Sequence, residues 1–395
     1  MSLNFEKSRW KRVRLGEVVR RSRTQVDPLS SGVERYVAGG HIDSEGMTIE
    51  RWGHVDDGQM GSTFRYVFRP GQVLFVSARP YLRKVGVPSF AGVVADKTYV
   101  LDAIPENGLL HQFLPLVLSS EAFVEYATAE ATGSMNPRLL WGPMQRYEFG
   151  LPPLDEQERL ADLLWAVERH RTALATVAEQ VSSAAETRFR NLLGGEWPSV
   201  AVPYLVKAGP TNGKSSPAND EGRGVPTLSI SAIRDGRVLG GASVKYIDVP
   251  PSEVQAFVIE DDDFLVVRGN GNKNSTGKGG LVKGGLPEGC IYPDLLIRLR
   301  FDRAKILPEF AAEQWNASSA HSALIQKAKS TNGIWKINGK DIKSHTLITP
   351  PLGAQRKILS EMQVFGRASR AIDDDVSRLV DTYTALCRLI FEGNA

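Results

Sequence analysis

The chain has 395 residues, 42% of them apolar and 24% charged, so it can bury ordinary cores and is too long for one typical domain. A formal charge of +3 demands no polyanionic partner, which leaves any nucleic-acid argument to the placement of the basic residues. Cys290 and Cys387 are the only cysteines and form no CxxC, excluding a disulfide framework or an ordinary zinc module; no run reaches 18 apolar residues, and the start lacks a signal-type apolar stretch, so a cytoplasmic protein with no membrane partner is expected.

In chain order, a basic cluster comes first, with Lys7, Arg9, Lys11, Arg12, Arg14, Arg20, Arg21 and Arg23 against only Glu6 and Glu17. Short β-branched and aromatic runs separated by Gly and Pro follow, and read as strands and loops. One of them, FVSARPYLRKVGV, presents Arg79, Tyr81, Arg83 and Lys84 just after an apolar strand. TGSMNPRLLW, with Asn136 and Arg138, reads as a turn. A Pro-Pro step at Pro152 and Pro153 then opens a long helix with Asp155 as candidate cap and acids in its first turn, ending near Gly194-Gly195.

The same order then repeats. LLWGPMQRYEFGLPPLDEQERLADLLWAV from Leu139 aligns with INGKDIKSHTLITPPLGAQRKILSEMQVF from Ile337 at a shift of 198, while WKRVRLGEVV from Trp10 parallels WPSVAVPYLV from Trp197 at 187, so the second copy holds about eleven more residues. Its Gly-rich stretch RGNGNKNSTGKGGLVKGG corresponds to the Arg79 loop. No acid occurs between Phe264 and Glu288, whereas Arg268, Lys273 and Lys278 are basic and Asn270, Asn272 and Asn274 supply amides, a mixture suited to phosphates and base edges. The bland alternative is a solvated hairpin. KSTNGIWKIN, with Asn332 and Lys336, matches the Asn136 segment, and for both a structural role stands beside DNA contact.

In the first long helix, Leu160, Val167, Leu174 and Val181 form one heptad column and Leu163, His170, Val177 and Ala184 a second; in the second helix, the columns start at Ile358 and Met362. At 1.5 Å per residue such helices reach about 50 Å, more than one domain covers. The pattern predicts an α+β fold: two homologous mixed α/β domains, residues 1–153 and 195–351, separated by two antiparallel, coiled-coil-like helices, 154–194 and 352–395, in pseudo-two-fold arrangement. Amphipathic helices lying on their own domains are the alternative.

AGPTNGKS, ending at Ser215, fits a loose phosphate-loop pattern, but the Pro- and Gly-rich sequence after it cannot form the required helix. The acidic run from Glu260 to Asp263 reads as a metal ligand set or a solvent-facing turn. Histidines lack metal-binding spacing, and no nucleophile elbow or methyltransferase motif is present, so no catalytic or cofactor site is expected.

This arrangement resembles the DNA specificity subunit of Type I restriction-modification systems. The resemblance rests on the twofold repeat of a domain followed by a long helix, on the LPPLDEQERLADLL and TPPLGAQRKILSEM junctions, and on the W-x-x-x-x-L start at Trp10. It implies that each target-recognition domain reads half of a bipartite double-stranded DNA target in the major groove, with the helices setting the gap. It also implies a non-catalytic subunit associated with two methyltransferase subunits that use S-adenosylmethionine, then with endonuclease subunits that use ATP and Mg. A non-DNA scaffold and a nucleotide-binding enzyme are the alternatives from other classes.

Overall fold

The computed structural model describes residues 7–44, 46–219, 221–331 and 333–391. They form two compact units, Met1–Ala178 with Ala371–Ala395, and Glu179–Arg370. Each unit therefore contains one mixed domain, the root of one long helix and the tip of the other. Among the described residues no helix is long and apolar enough to cross a membrane.

The first unit is built on a five-stranded sheet in the order Val19–Ser22, Thr98–Ala103, Val73–Val76, Val85–Pro88, Thr48–Ile49. Its central strands are β-branched and aromatic on both faces because both faces are covered. Thr98 lies opposite Val76 and Leu101 opposite Val73, antiparallel; only the edge strand Thr48–Ile49 runs parallel to its neighbour. The second unit repeats this succession with Val206–Asn212, Leu296–Phe301, Asp263–Val267, Gly279–Leu281 and Arg237–Val238, again with a parallel last pair, and adds Ile233–Arg234 at the edge. The offset between copies grows from 187 at Val19 and Val206 to 198 at Thr98 and Leu296, so the additional residues are distributed through the middle of the domain. In both copies a short strand after the initial Trp pairs with the strand before the Pro-Pro step: Lys11–Arg14 with Glu148–Leu151, and Ser199–Ala201 with Thr346–Ile348.

The core of the first unit gathers Phe75, Tyr99, Phe113 and Phe123 around Leu160 and Leu164 from the first long helix, Leu154–Leu192, and Leu386 and Ile390 from the second, Leu352–Phe391. In the second unit Phe264, Leu299, Phe310 and Trp315 enclose Phe189 from the first helix and Ile358 from the second. In each unit the start of one helix accompanies the end of the other, an antiparallel relation, and both touch the same domain. Arg188 and Glu361 pair between the helices in the second unit.

One helical column lies elsewhere than the heptad pattern predicts. Leu163 is 39% and Val177 41% exposed, while Leu164 is fully buried and Arg171 and Ala178 are half-buried, so the inward column of the first helix lies four residues after Leu160 and its repeats, not three. At 3.6 residues per turn either spacing keeps a stripe, and the domain core selects the one containing Leu164. The second helix keeps its expected columns at Ile358, Ile372 and Leu386, except that Ser369 is exposed.

Candidate nucleic-acid interface

In the first unit the buried strand Val73–Val76 runs directly into the basic loop. Arg79 and Arg83 both take left-handed backbone conformations around the single turn Pro80–Leu82, folding the loop tightly at the end of the sheet. The turn at residues 132–138 lies against it: the Arg79 N–H donates to the Pro137 carbonyl at 2.6 Å, the Leu139 N–H to the Ser77 carbonyl at 2.9 Å, and Thr132 and Arg138 exchange backbone bonds. Two segments about 55 residues apart thus form one surface. Its side chains divide by partner. Arg138 faces inward, donating to Asp96 at 3.0 Å and to the Ser77 hydroxyl at 3.1 Å. Arg83 pairs with Glu121, whose carboxyl it holds below the usual range, and Lys84 donates to the Gly39 carbonyl. Arg79, Tyr81 and Asn136 face solvent, and among the described residues the Arg79 guanidinium has no ion-pair partner.

The second unit makes the same juxtaposition with different chemistry. Gly269-Asn270 pairs antiparallel with Trp335 and Lys336 of a hairpin formed by Lys329–Thr331 and Ile334–Lys336. Lys273 sits over the Trp335 ring at 4.5 Å, and the Thr276 hydroxyl donates to the Trp335 carbonyl. The asparagines shape their own loop: Asn270 accepts from the Asn272 N–H and Asn272 from the Asn274 N–H, consecutive Asx turns. Arg268 donates to the Asp294 carbonyl, and Lys278 to the Asn316 carbonyl, with burial lowering the Lys278 pKa. Asn272, Lys273, Asn274 and Lys336 are exposed. Asn332 lies outside the described residues.

One neighbouring element is not among the candidates drawn from the sequence. Arg234 and Arg237 flank the Asp235-Gly236 turn of a two-stranded hairpin, Ile233–Arg234 with Arg237–Val238. Both turn residues have positive φ, the conformation Asp-Gly favours, so IRDGRV carries a hairpin signal that could have found it. The hairpin, the Asn-rich loop and the helix Pro308–Asn316 line a cleft of about 1080 Å³.

Other sequence features are structural. In AGPTNGKS the chain is an extended strand through Asn212, and a Cβ at Gly213 would lie 2.1 Å from the Tyr292 carbonyl oxygen. Lys214 is tied to Glu253 at 2.8 Å and the Ser215 hydroxyl to Asp294 at 2.6 Å, so neither is set up for a phosphate. The acidic run is no solvent-facing turn at its end: Asp263 is buried and accepts from Arg300 at 2.6 Å. Among the described residues no group of three or more His, Cys, Asp or Glu comes together to hold a metal. Within the N-terminal basic cluster, Arg12 and Arg14 share Glu148, and Arg21 packs over Tyr99 at 4.0 Å.

No family model matches the chain. It is 29% identical over 265 residues to the Type I restriction enzyme EcoKI specificity subunit of Escherichia coli strain K12, covering 62% of this chain and 56% of that one. It is 27% identical to the StySPI specificity subunit of Salmonella potsdam, covering 59% and 49%. The chain thus spans about half the length of the curated relatives it matches. Among solved structures, a chain from work on complex assembly and conformational transition of the type I R-M system matches with TM-score 0.53, 22% identity and 97% coverage of both chains. The Type I restriction-modification S subunit from M. genitalium matches with TM-score 0.52, 13% identity, and coverage of 100% and 99%. By sequence the chain is a relative of Type I restriction enzyme specificity subunits, and its fold is that of an S subunit.

Proposed function

We propose that this chain is the non-catalytic, sequence-reading subunit of a Type I restriction-modification complex, acting on cytoplasmic DNA. The observation that carries the reading is the duplicated juxtaposition: in each unit a basic loop at the end of a buried strand is held against a second exposed turn, and the pair together presents cationic and amide side chains. Backbone bonds fix the two segments, and the outward side chains, Arg79, Tyr81 and Asn136 in one unit and Lys273, Asn274 and Lys336 in the other, are of the kinds that contact phosphates and base edges. Because these sets differ, the two half-sites differ. The long helices, 39 and 40 residues and so about 60 Å each, set the gap between them.

The same helices dock two methyltransferase subunits, a role supported by apolar side chains left exposed along them, Leu163 and Val177 on the first and Val364 and Leu389 on the second. In this reading the chain binds no cofactor itself; S-adenosylmethionine belongs to the methyltransferase, and ATP and Mg to the endonuclease subunits. The test is genome-wide methylation mapping in cells expressing the chain with its cognate methyltransferase, compared with the methyltransferase alone. A new split, asymmetric methylated motif is expected. An assembled complex that produces no new motif overturns the proposal and leaves a non-DNA scaffold.

A further inference from the structure

Resting on that reading, we infer that Glu313 is a specificity-determining residue of the second recognition unit, accepting a hydrogen bond from the exocyclic amine of a cytosine or adenine in one half-site. The cleft of about 1080 Å³ is bounded by the Arg234–Arg237 turn on one side, Asn274 and Lys278 on another, and the helix carrying Glu309 and Glu313 on the third.

The two glutamates of that helix differ in one respect. Glu309 is held by Lys283 and Arg303 in a network with Asp262, and its charge is internally balanced. Glu313, one helical turn on, has no hydrogen-bond or ion-pair partner among the described residues. It is accessible to solvent yet closely surrounded by protein, and that crowding raises its pKa while Arg237 opposes the rise. The cleft otherwise presents Arg234, Arg237 and Lys278, with Asp235 at the tip of the turn, so bases outnumber acids among its charges that are not paired internally.

An unpaired carboxylate there repels phosphates and disfavours DNA unless something on the duplex donates to it. In the major groove the donors are the N4 amine of cytosine and the N6 amine of adenine; guanine and thymine present acceptors at the corresponding places. Glu313, on the helix wall opposite the turn that carries Asp235, therefore rejects guanine and thymine at the position it faces, while the arginines of the turn anchor the strand.

The experiment maps methylation in cells expressing the full chain and its methyltransferase, as wild type, Glu313→Ala and Glu313→Lys. Expected for Glu313→Ala is loss of preference, by roughly ten- to a hundredfold, at a single position in one half-site with the other half unchanged. Glu313→Lys is expected to move that position toward guanine or thymine, because an acceptor has become a donor. Wild-type-like motifs from both variants, or a loss spread equally over both half-sites in assembled complexes, overturn the inference. Failure of the proposed function itself is distinguishable, since the wild type would then give no split motif.

Discussion

Gln157 and Gln355 hold the same set of bonds, one in each unit. The side-chain oxygen of Gln157 accepts from the Leu110 N–H at 2.9 Å, and its amide donates to the carbonyls of Gly108 at 2.7 Å and Pro152 at 2.8 Å. Gln355 accepts from Leu307 at 2.8 Å and donates to Lys305 at 3.2 Å and Pro350 at 2.8 Å. Both are fully buried one turn into their helix, so each fastens the helix root to its domain. Replacing either with Met keeps the volume and removes every partner. Orphaned buried backbone groups are expected to cost about 2–4 kcal/mol of that unit's stability in denaturant unfolding. A loss well under 1 kcal/mol would show that the polar clamp is incidental.

At the preceding helix position the two copies differ. The Trp10 indole donates to Glu156 at 3.1 Å, but the residue matching Glu156 is Ala354, and the buried indole nitrogen of Trp197 has no acceptor among the described residues. The second helix also lacks any acid in its first turn. Ala354→Glu is expected to add about 1 kcal/mol through a partner for Trp197 and a favourable charge at the helix N-terminus. Ala354→Gln isolates the hydrogen bond. If neither variant raises the denaturation midpoint, the loop before the helix does not bring Trp197 within reach.

Arg79→Ala and Arg138→Ala should behave differently despite lying on one surface. Arg79 has no ion-pair partner among the described residues, so its loss leaves folding unchanged and weakens or relaxes one half-site by about 1–3 kcal/mol if it touches a base edge. Arg138 is bound to Asp96 and Ser77, so its loss first lowers thermal stability. Lys273→Ala should affect the other half-site. Equal weakening of all DNA sequences by Arg79→Ala and Lys273→Ala would mark both as phosphate anchors.

The repeat, the order of elements and the correspondence of each loop and turn with its counterpart in the other copy are legible in the sequence because they depend on local pattern and on self-alignment, whereas the packing of loop against turn within a unit emerges only from the fold. What is not legible depends on distant partners. Nothing near Arg138 announces Asp96, 42 positions away, nor does the sequence around Arg83 announce Glu121, yet those pairs turn two candidate contacts inward. The absence of a following helix is enough to discount the phosphate-loop match at Lys214, but the tie of that lysine to Glu253 emerges only from the fold. The inward column of the first helix is ambiguous in the sequence because apolar residues occur at both Leu163 and Leu164, and only the domain core decides between them.

His345 makes stability depend on pH in a defined direction. The ring is 4% exposed, lies 4.8 Å from Trp315, and its Nε2 has no hydrogen-bond partner among the described residues. Burial, with help from the nearby charge of Lys327, pushes its pKa down to about 4. Once unfolded the imidazole titrates near 6.5, so the unfolded chain takes up a proton below that pH while the folded one refuses it until about 4. The contribution is full above pH 6.5 and is lost progressively as pH falls towards 4, amounting to about 2 kcal/mol between pH 7 and pH 5. His321 shifts in the same direction, so the comparison needs a variant. In His345→Phe, which keeps an aromatic ring against Trp315, unfolding by denaturant at pH 7 and pH 5 should show a smaller loss than wild type by about that amount. Equal losses in the two proteins would mean that the ring takes up its proton in the folded unit as readily as in the unfolded chain, and would overturn the assignment.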